Sequence, residues 1–498
     1  MATKVYSTPG VYIEEKSAFP NTVVAVATAV PAFIGFTEKA IRGRKSLLNV
    51  PTRITSLAEY VSFFGGPPHT TFTVTPDEGT LYKVEMDKET QFNMYRSIRL
   101  FYANGGGPCY IVSVGDYSSG ISAGALNDPE NNGGLHTLLK EPEPTMVVVP
   151  DSTLLEAADC YSLQQAMLNH CGLETRSRVA VLDIHGGDAA RTMGDDDVIT
   201  SFRNGIGANF LQFGAAYYPF LETTIVQENE VDYRNISNLD ELSNLLIKEV
   251  DDALSADLIK DKRAEEIRSE VGKMTQEGVD AIAVHNTLKA VSPTYKDIMS
   301  DIRKSMNLLP PSPAMAGVYS LVDNSVGVHK APANVSVGSV VAPSVNLSSE
   351  QQEDLNLPLN GKAVNAIRTF VGKGTLVWGA RTLDGNSSDW RYINVRRTII
   401  MLEQSIKIAA EAFVFEPNDA NTWTSIKGML ENFLTNQWKA GVLVGTVPQD
   451  SFSVDVGLDI TMTPQDVLDG IMRISIKVAV SRPAEFIVIT FQQQMQKS

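Results

Sequence analysis

Along residues 452–460, FSVDVGLDI, apolar side chains occupy every second position. Phe452, Val454, Val456, Leu458 and Ile460 alternate with Ser453, Asp455, Gly457 and Asp459. Residues 471–480, IMRISIKVAV, repeat the pattern, with Ile474, Ile476, Val478 and Val480 set against Arg473, Ser475, Lys477 and Ala479. A period of two sends alternate side chains to opposite faces, so each segment is predicted as a strand with one buried face. A third run, EFIVITF at 485–491, is apolar on both faces and gives way to the polar stretch 492–498. A strand apolar on both sides needs cover on both sides, and at a chain end another molecule is the expected source.

Upstream, residues 1–22 read as an extended arm punctuated by Pro9 and Gly10, with the β-formers Val11, Tyr12 and Ile13. The apolar runs 23–30 (VVAVATAV) and 32–36 (AFIGF) are predicted as strands joining an inner domain, followed by an outer domain over 41–140. That domain holds glycine-rich turns at 65–68 and 104–108, a strand at 109–114 and a loop at 119–135. Residues 141–330 read as a middle α/β domain, because strand 145–149, helix 154–169 and strand 179–184 form a βαβ pattern. The charge-dense stretch 238–275 carries Leu242, Leu245, Leu246, Val250, Leu254 and Leu258 near helical spacing and is predicted as one or two amphipathic helices. Pro310, Pro311 and Pro313 end the next helix, and 331–361 reads as a Pro/Asn/Ser-rich connection to a last domain at 362–483. That domain is expected to hold a strand at 374–382, helices at 396–413 and about 422–440, and the alternating strands; Gly441 stops the second helix and 484–498 forms a C-terminal arm. The fold class expected is α+β and multidomain.

The chain has 498 residues, enough for several cores, and a formal charge of −16, which argues against a nucleic-acid partner. The three cysteines lack the spacing of a disulfide framework or a zinc site and fit reduced thiols. Residues 1–16 contain no apolar signal region, and no apolar stretch is long enough to span a membrane. No nucleophile elbow, H-E-x-x-H or Walker A motif occurs, and the glycines at 104–108 are not followed by Gly-Lys-Ser/Thr. One acidic constellation bears on catalysis. Asp151 follows one βαβ strand, and Asp183, His185 and Asp188 end the next, where open α/β sheets bind ligands. Such residues suit a divalent metal of a hydrolase; the alternative is that Asp151 caps a helix and the others serve turns.

Several segments, in order, resemble the sheath proteins of contractile phage tails and of phage-tail-like injection particles. They are YSTPGVYIEE (6–15), AVPAFIGFTEKA (29–40), FYANGGGPCYIVSV (101–114), PPSPAMAGVYSLVDNSVGVHKAPANV (310–335), VNAIRTFVGKGTLVWGARTL (364–383), WRYINVRRTIIMLEQSI (390–406), FEPNDANTWTSIKGMLENFL (415–434) and PAEFIVITFQQ (483–493). The resemblance covers roughly 1–40, 95–115 and 310–498, and leaves 41–94 and 190–300 as outward-facing parts.

It implies a structural subunit without catalysis or cofactor that polymerises with itself as stacked hexameric rings around an inner tube protein. Baseplate and terminal cap proteins and sheath paralogues would be its other partners, with no nucleic acid and no membrane insertion. The subunit would be made in the bacterial cytoplasm and join a virion tail, or a particle released by lysis. Val5, Val11, Tyr12, Ile13, Phe486, Ile487, Val488, Ile489 and Phe491 would lie on strands lent to neighbours. Phe452, Val454, Val456, Leu458, Ile474, Ile476 and Val478 would form the resident sheet. The polar face of the helix at 422–440, with Lys427, Glu431, Asn432, Thr435, Asn436 and Lys439, would touch the tube. Arg381, Arg391, Arg396 and Arg397 cluster nearby in sequence and are expected to pair with carboxylates such as Glu403. A static shell or surface-layer protein would share the sticky ends but lack a second, shorter and wider assembled state.

Overall fold

The computed structural model describes residues 23–488. The described residues form two compact units, one of residues 27–400 with 482–488 (the body) and one of 401–481 with 23–26.

The body is built on a nine-stranded sheet. Its labelled strands are β1 (Pro31–Gly35), β2 (Thr52–Ile54), β3 (Cys109–Ser113), β4 (Met146–Val148), β5 (Val179–Asp183), β6 (Gly214–Tyr218), β7 (Val335–Ser336), β8 (Asn365–Phe370) and β9 (Gly374–Trp378). Their order is β7-β9-β8-β6-β5-β4-β1-β3-β2. The six strands from β8 to β3 run parallel, and β2, β9 and β7 add antiparallel edges. Strands β1, β3, β4, β5 and β6 are buried along their whole length, as expected where crossover helices cover both faces of a parallel sheet. One cover is α1 (Met94–Ala103) with α7 (Ser312–Ser325). Their approach depends on Gly317, where a Cβ would come within 2.6 Å of the Phe101 carbonyl oxygen. Another is α2 (Ala157–Asn169), between β4 and β5 in the chain.

A second core lies in the same unit. The hairpin 72–86 packs with α3 (Leu239–Ser255), α4 (Asp261–Gly272), α5 (Ala281–Val291) and α6 (Pro293–Met306) around Phe72, Leu242, Ile267, Leu288 and Ile298. Of the six residues at helical spacing, Leu242, Leu245, Leu246 and Val250 are buried, whereas Leu258 lies beyond α3 and is exposed.

The units divide the chain differently from the boundaries read along the sequence. β8 and β9, expected in the last domain, join the body sheet beside β6. The expected connection 331–361 is structured: Val340–Pro343 pairs antiparallel with Leu221–Thr223, and Ser349–Asn356 is a helix. Residues 23–30, expected as a strand, form no ladder. Two of their N–H groups are satisfied by side chains instead: Val26 N–H donates to Ser405 Oγ and Val30 N–H to Thr145 Oγ1, both at 3.0 Å.

The two buried aspartates of the acidic constellation serve the fold. Asp151 is fully buried and accepts the N–H groups of Asn93 at 2.7 Å and Phe36 at 3.1 Å, joining the end of β1 to the start of α1. Asp183 accepts both Ser312 N–H at 2.7 Å and Ser312 Oγ–H at 2.5 Å at the start of α7. His185 Nε2 lies 3.0 Å from the Leu155 carbonyl, and Asp188 is exposed. Among the described residues, no group of three or more His, Cys, Asp or Glu side chains is arranged to hold a metal.

Burial pushes the Asp151 carboxyl up to about 6 and that of Asp183 up to about 7, against the hydrogen bonds they accept. An unfolded aspartate releases its proton near 3.8. Between the unfolded and folded values the folded chain binds more protons, so these groups make stability fall as pH rises from about 4 to about 7. Asp183→Asn cannot ionise, and its amide still accepts from Ser312 N–H. The difference in urea midpoint between the variant and the wild-type chain should therefore move in the variant's favour from pH 5 to pH 8. An unchanged difference would show that Asp183 does not carry this slope.

Candidate assembly interface

The smaller unit is organised by α9 (Ala420–Lys439), which packs on the strand pair β10 (Phe452–Val456) and β11 (Ile474–Val478). Asp419 caps α9 by accepting from Asn421 N–H at 2.9 Å and Thr422 N–H at 3.1 Å. Ile426, Met429, Leu430, Phe433 and Leu434 form its buried side, and Gly441, at φ +78°, ends it as the sequence suggests. The strands pair antiparallel, Val454 opposite Ile476, and residues 442–444 bond to the extension of β11 at 479–481. The turn between the strands is held by a reciprocal cap between Thr463 and Asp466 and by Arg473, which donates to Asp466 at 2.9 and 3.0 Å. Backbone and side-chain donation from Thr463 and the Arg473 bond hold the Asp466 carboxyl down at about 2.

The residues of the expected resident face differ in burial. Val454 and Val456 are buried, while Phe452, Ile474, Ile476 and Val478 are half-buried. Leu458 lies outside the strand and is exposed, because Gly457 at φ +151° and Asp459 at φ +60° turn the chain away. Among the described residues the sheet has two strands, so β10 and the 474–478 stretch of β11 each present an unpaired outer edge. A two-stranded sheet is marginal alone, and an open edge is a template for another strand. On the other side of α9, Asn432, Asn436 and Lys439 are exposed, and Lys427, Glu431 and Thr435 are half-buried. Lys427 and Glu431 stand 3.8 Å apart one turn along the helix.

In the body, the C-terminal arm is rooted by one side chain. Arg381, itself buried, donates to Glu485 through Nε at 2.9 Å and Nη2 at 2.6 Å. Asn356 Nδ2 at 2.8 Å and Tyr392 Oη at 3.0 Å donate to the same carboxylate. Burial raises the Glu485 carboxyl, but the bonds from Arg381 and Asn356 outweigh it, and it lies below the usual carboxylate range. A groove of about 740 Å³ runs beside this root, with Leu357, Trp378, Phe486 and Ile487 among its walls. The next three residues find no cover: Phe486 is 66% exposed, Ile487 79% and Val488 89%. They form no strand in this chain. Val5, Val11, Tyr12, Ile13, Ile489 and Phe491 lie outside the described residues.

The remaining arginines of the cluster are also built into the body. Arg397 forms a buried bidentate pair with Asp323. Arg396 stacks 4.4 Å from the Trp390 ring, and Arg391 donates to the Ser387 carbonyl. Sequence reasoning named the cluster but missed Glu485 and Asp323 as its partners.

Replacing Glu485 by Gln removes the charge opposite Arg381 while keeping the shape. Losing such a charge-assisted contact should cost about 1.5–3 kcal/mol. The variant should unfold at lower urea and be cut faster by protease at 482–488, and equal cleavage of both proteins would show that the carboxylate does not hold the arm.

Residues 386–494 match the phage tail sheath C-terminal domain. The tail sheath protein of Vibrio phage KVP40 is 25% identical over 214 residues, which is 43% of this chain and 31% of that protein's length. The chain thus matches about a third of that curated relative. Over nearly its whole length it also superposes on a sheath subunit from the PVC extracellular contractile injection system in the contracted state. There the TM-score is 0.59 at 27% identity, covering 99% of both chains. The chain is thus similar to contractile tail sheath proteins, and residues 386–494 carry their C-terminal domain. A chain from the six-fold symmetrised baseplate structure of the anti-feeding prophage superposes on this protein equally well, with a TM-score of 0.59 at 27% identity over 99% of this chain and 100% of that one. The sheath proteins it resembles are structural, and the mixture of helices and strands expected from the sequence is the one the chain adopts.

Proposed function

We propose that this chain is the repeating subunit of a contractile sheath, polymerising as stacked six-membered rings around an inner tube. The observation that carries the reading is the apolar run 486–488, exposed directly after a residue fixed by a buried ion pair. A rooted, uncovered apolar segment is suited to complete the open sheet edge of an adjacent copy, where main-chain hydrogen bonds form and side chains are buried only on assembly. The arm at 5–15 would add a second lent strand. The six-fold baseplate structure with a similar chain supports rings of six and a baseplate partner.

In this reading no nucleotide is consumed. The extended sheath is metastable, and contraction buries more surface between subunits; a modest gain per copy, repeated over the assembly, drives the tube through a target envelope. Lys427, Glu431, Asn432, Thr435 and Lys439 form the face of α9 that meets the tube before contraction. The hairpin 72–86 and helices α3–α6 face outward. The particle is assembled from subunits made in a bacterial cytoplasm, as a virion tail or a released injection particle, with cap proteins and sheath paralogues as further partners.

Negative-stain microscopy of the purified full chain tests the proposal. The expected result is ringed tubes, and particles containing the chain should show two lengths, the shorter one wider. Cylinders of a single fixed length and width would point to a static shell instead.

A further inference from the structure

Away from the assembly surfaces, one cluster of charge in the body is unbalanced. A pocket of about 400 Å³ is lined by residues that include Arg96, Arg99, Arg234, His69, Glu230 and Asp232. Each carboxylate is already engaged. Glu230 takes Arg99 in a two-pronged contact at 2.6 and 3.0 Å. Asp232 takes Arg234 the same way, at 2.6 and 2.9 Å. Arg96 has no such partner. Its Nη2 donates to Thr70 Oγ1 at 2.8 Å, and among the described residues its other guanidinium N–H groups meet no protein acceptor. Yet this side chain belongs to α1 and is only 2% exposed. Burial pushes the guanidinium down to about 10, so it remains charged at neutral pH.

Three arginines therefore share two carboxylates, and the unmatched cation is the buried one. A buried charge is costly unless it is paired and hydrogen-bonded. The donors left over on Arg96 form a planar fork, the geometry that accepts two oxygens of one carboxylate or phosphate group. The space is of the size that holds a small molecule. We propose that this pocket binds a small oxyanion, with Arg96 as its central ligand and Arg99 and Arg234, each already held by a carboxylate, framing it. The site does not depend on the assembly reading, and it would connect the helical cluster to the sheet through a bound anion.

Isothermal titration of the full chain with inorganic phosphate, and separately with acetate, at fixed ionic strength in chloride tests this. At least one anion should bind saturably, and the stronger of the two identifies the ligand class as phosphate or carboxylate. Arg96→Met should abolish the binding. Arg96→Lys keeps the charge but loses the planar fork, and it should bind roughly tenfold more weakly; it carries the test if the methionine variant fails to fold. Absence of saturable binding of either anion to the wild-type chain, or wild-type affinity in Arg96→Lys, would overturn the proposal.

Discussion

A chain truncated after Glu485 is expected to stay folded and to lose the ability to form tubes. The cut is placed to spare the carboxylate on Arg381, so that no buried guanidinium is stranded and the body keeps its contacts with Asn356 and Tyr392. The removed segment begins with Phe486, Ile487 and Val488, which are uncovered in the single chain. Deleting them should thus leave the urea midpoint of the monomer unchanged. In an assembly the same side chains would each contribute about 1.5–3 kcal/mol on full burial, an upper bound because the unfolded reference is already partly compact. Three such residues could together supply about 4.5–9 kcal/mol, comparable with the roughly 8 kcal/mol that corresponds to micromolar association. Sedimentation and negative-stain microscopy should find truncated protein in the supernatant as a small species. Long tubes from the truncated chain would show that the joint between copies lies elsewhere. Because Glu485→Gln weakens the root and this truncation removes only the residues beyond it, comparing the two separates anchoring from pairing.

The strand pair of the smaller unit was legible in the sequence because it depends on local pattern. Alternation marked β10 and β11, and an apolar run without alternation marked the arm. The pattern overran at Leu458, where two residues of positive φ, Gly457 and Asp459, end the strand although the apolar spacing continues. At 23–30 the composition favoured a strand, but pairing there is replaced by hydroxyl acceptors from Ser405 and Thr145, which no local window contains. α7 was missed for a different reason. It begins in a proline cluster, which reads as a stop, although proline suits the first turn of a helix. Ten of its fourteen residues are buried, so no polar face gives it a helical period. The division of 362–483 between the units was also beyond local reading, since β8 finds β6 across more than a hundred residues. The Arg381–Glu485 contact spans 104 residues, and a lone glutamate before an apolar run carries no sign of its partner.

The largest loss of stability is expected from Asp323→Ala. Asp323 on α7 takes both prongs of Arg397, at 3.0 and 2.5 Å, and the two side chains are 2% and 4% exposed. Arg397 lies in α8 (Ile393–Ala410), so the pair ties the helix beneath the sheet to the next helix after β9. Removing the carboxylate leaves a guanidinium with the Thr28 carbonyl at 2.9 Å and the Tyr319 ring 4.6 Å away, neither of which neutralises it. Breaking one side of a buried ion pair costs about 3–5 kcal/mol, mainly because the surviving charge is stranded out of water. Removing both charges behaves differently, since each ion's desolvation cost disappears with it. Asp323→Leu combined with Arg397→Met should therefore recover most of what Asp323→Ala loses. Urea unfolding of the single and double variants checks this. A double variant as unstable as the single one would mean that the pair contributes shape, the hydrogen bond from Arg397 to the Thr28 carbonyl and the stacking of Arg397 on the Tyr319 ring, and that charge compensation is the lesser part.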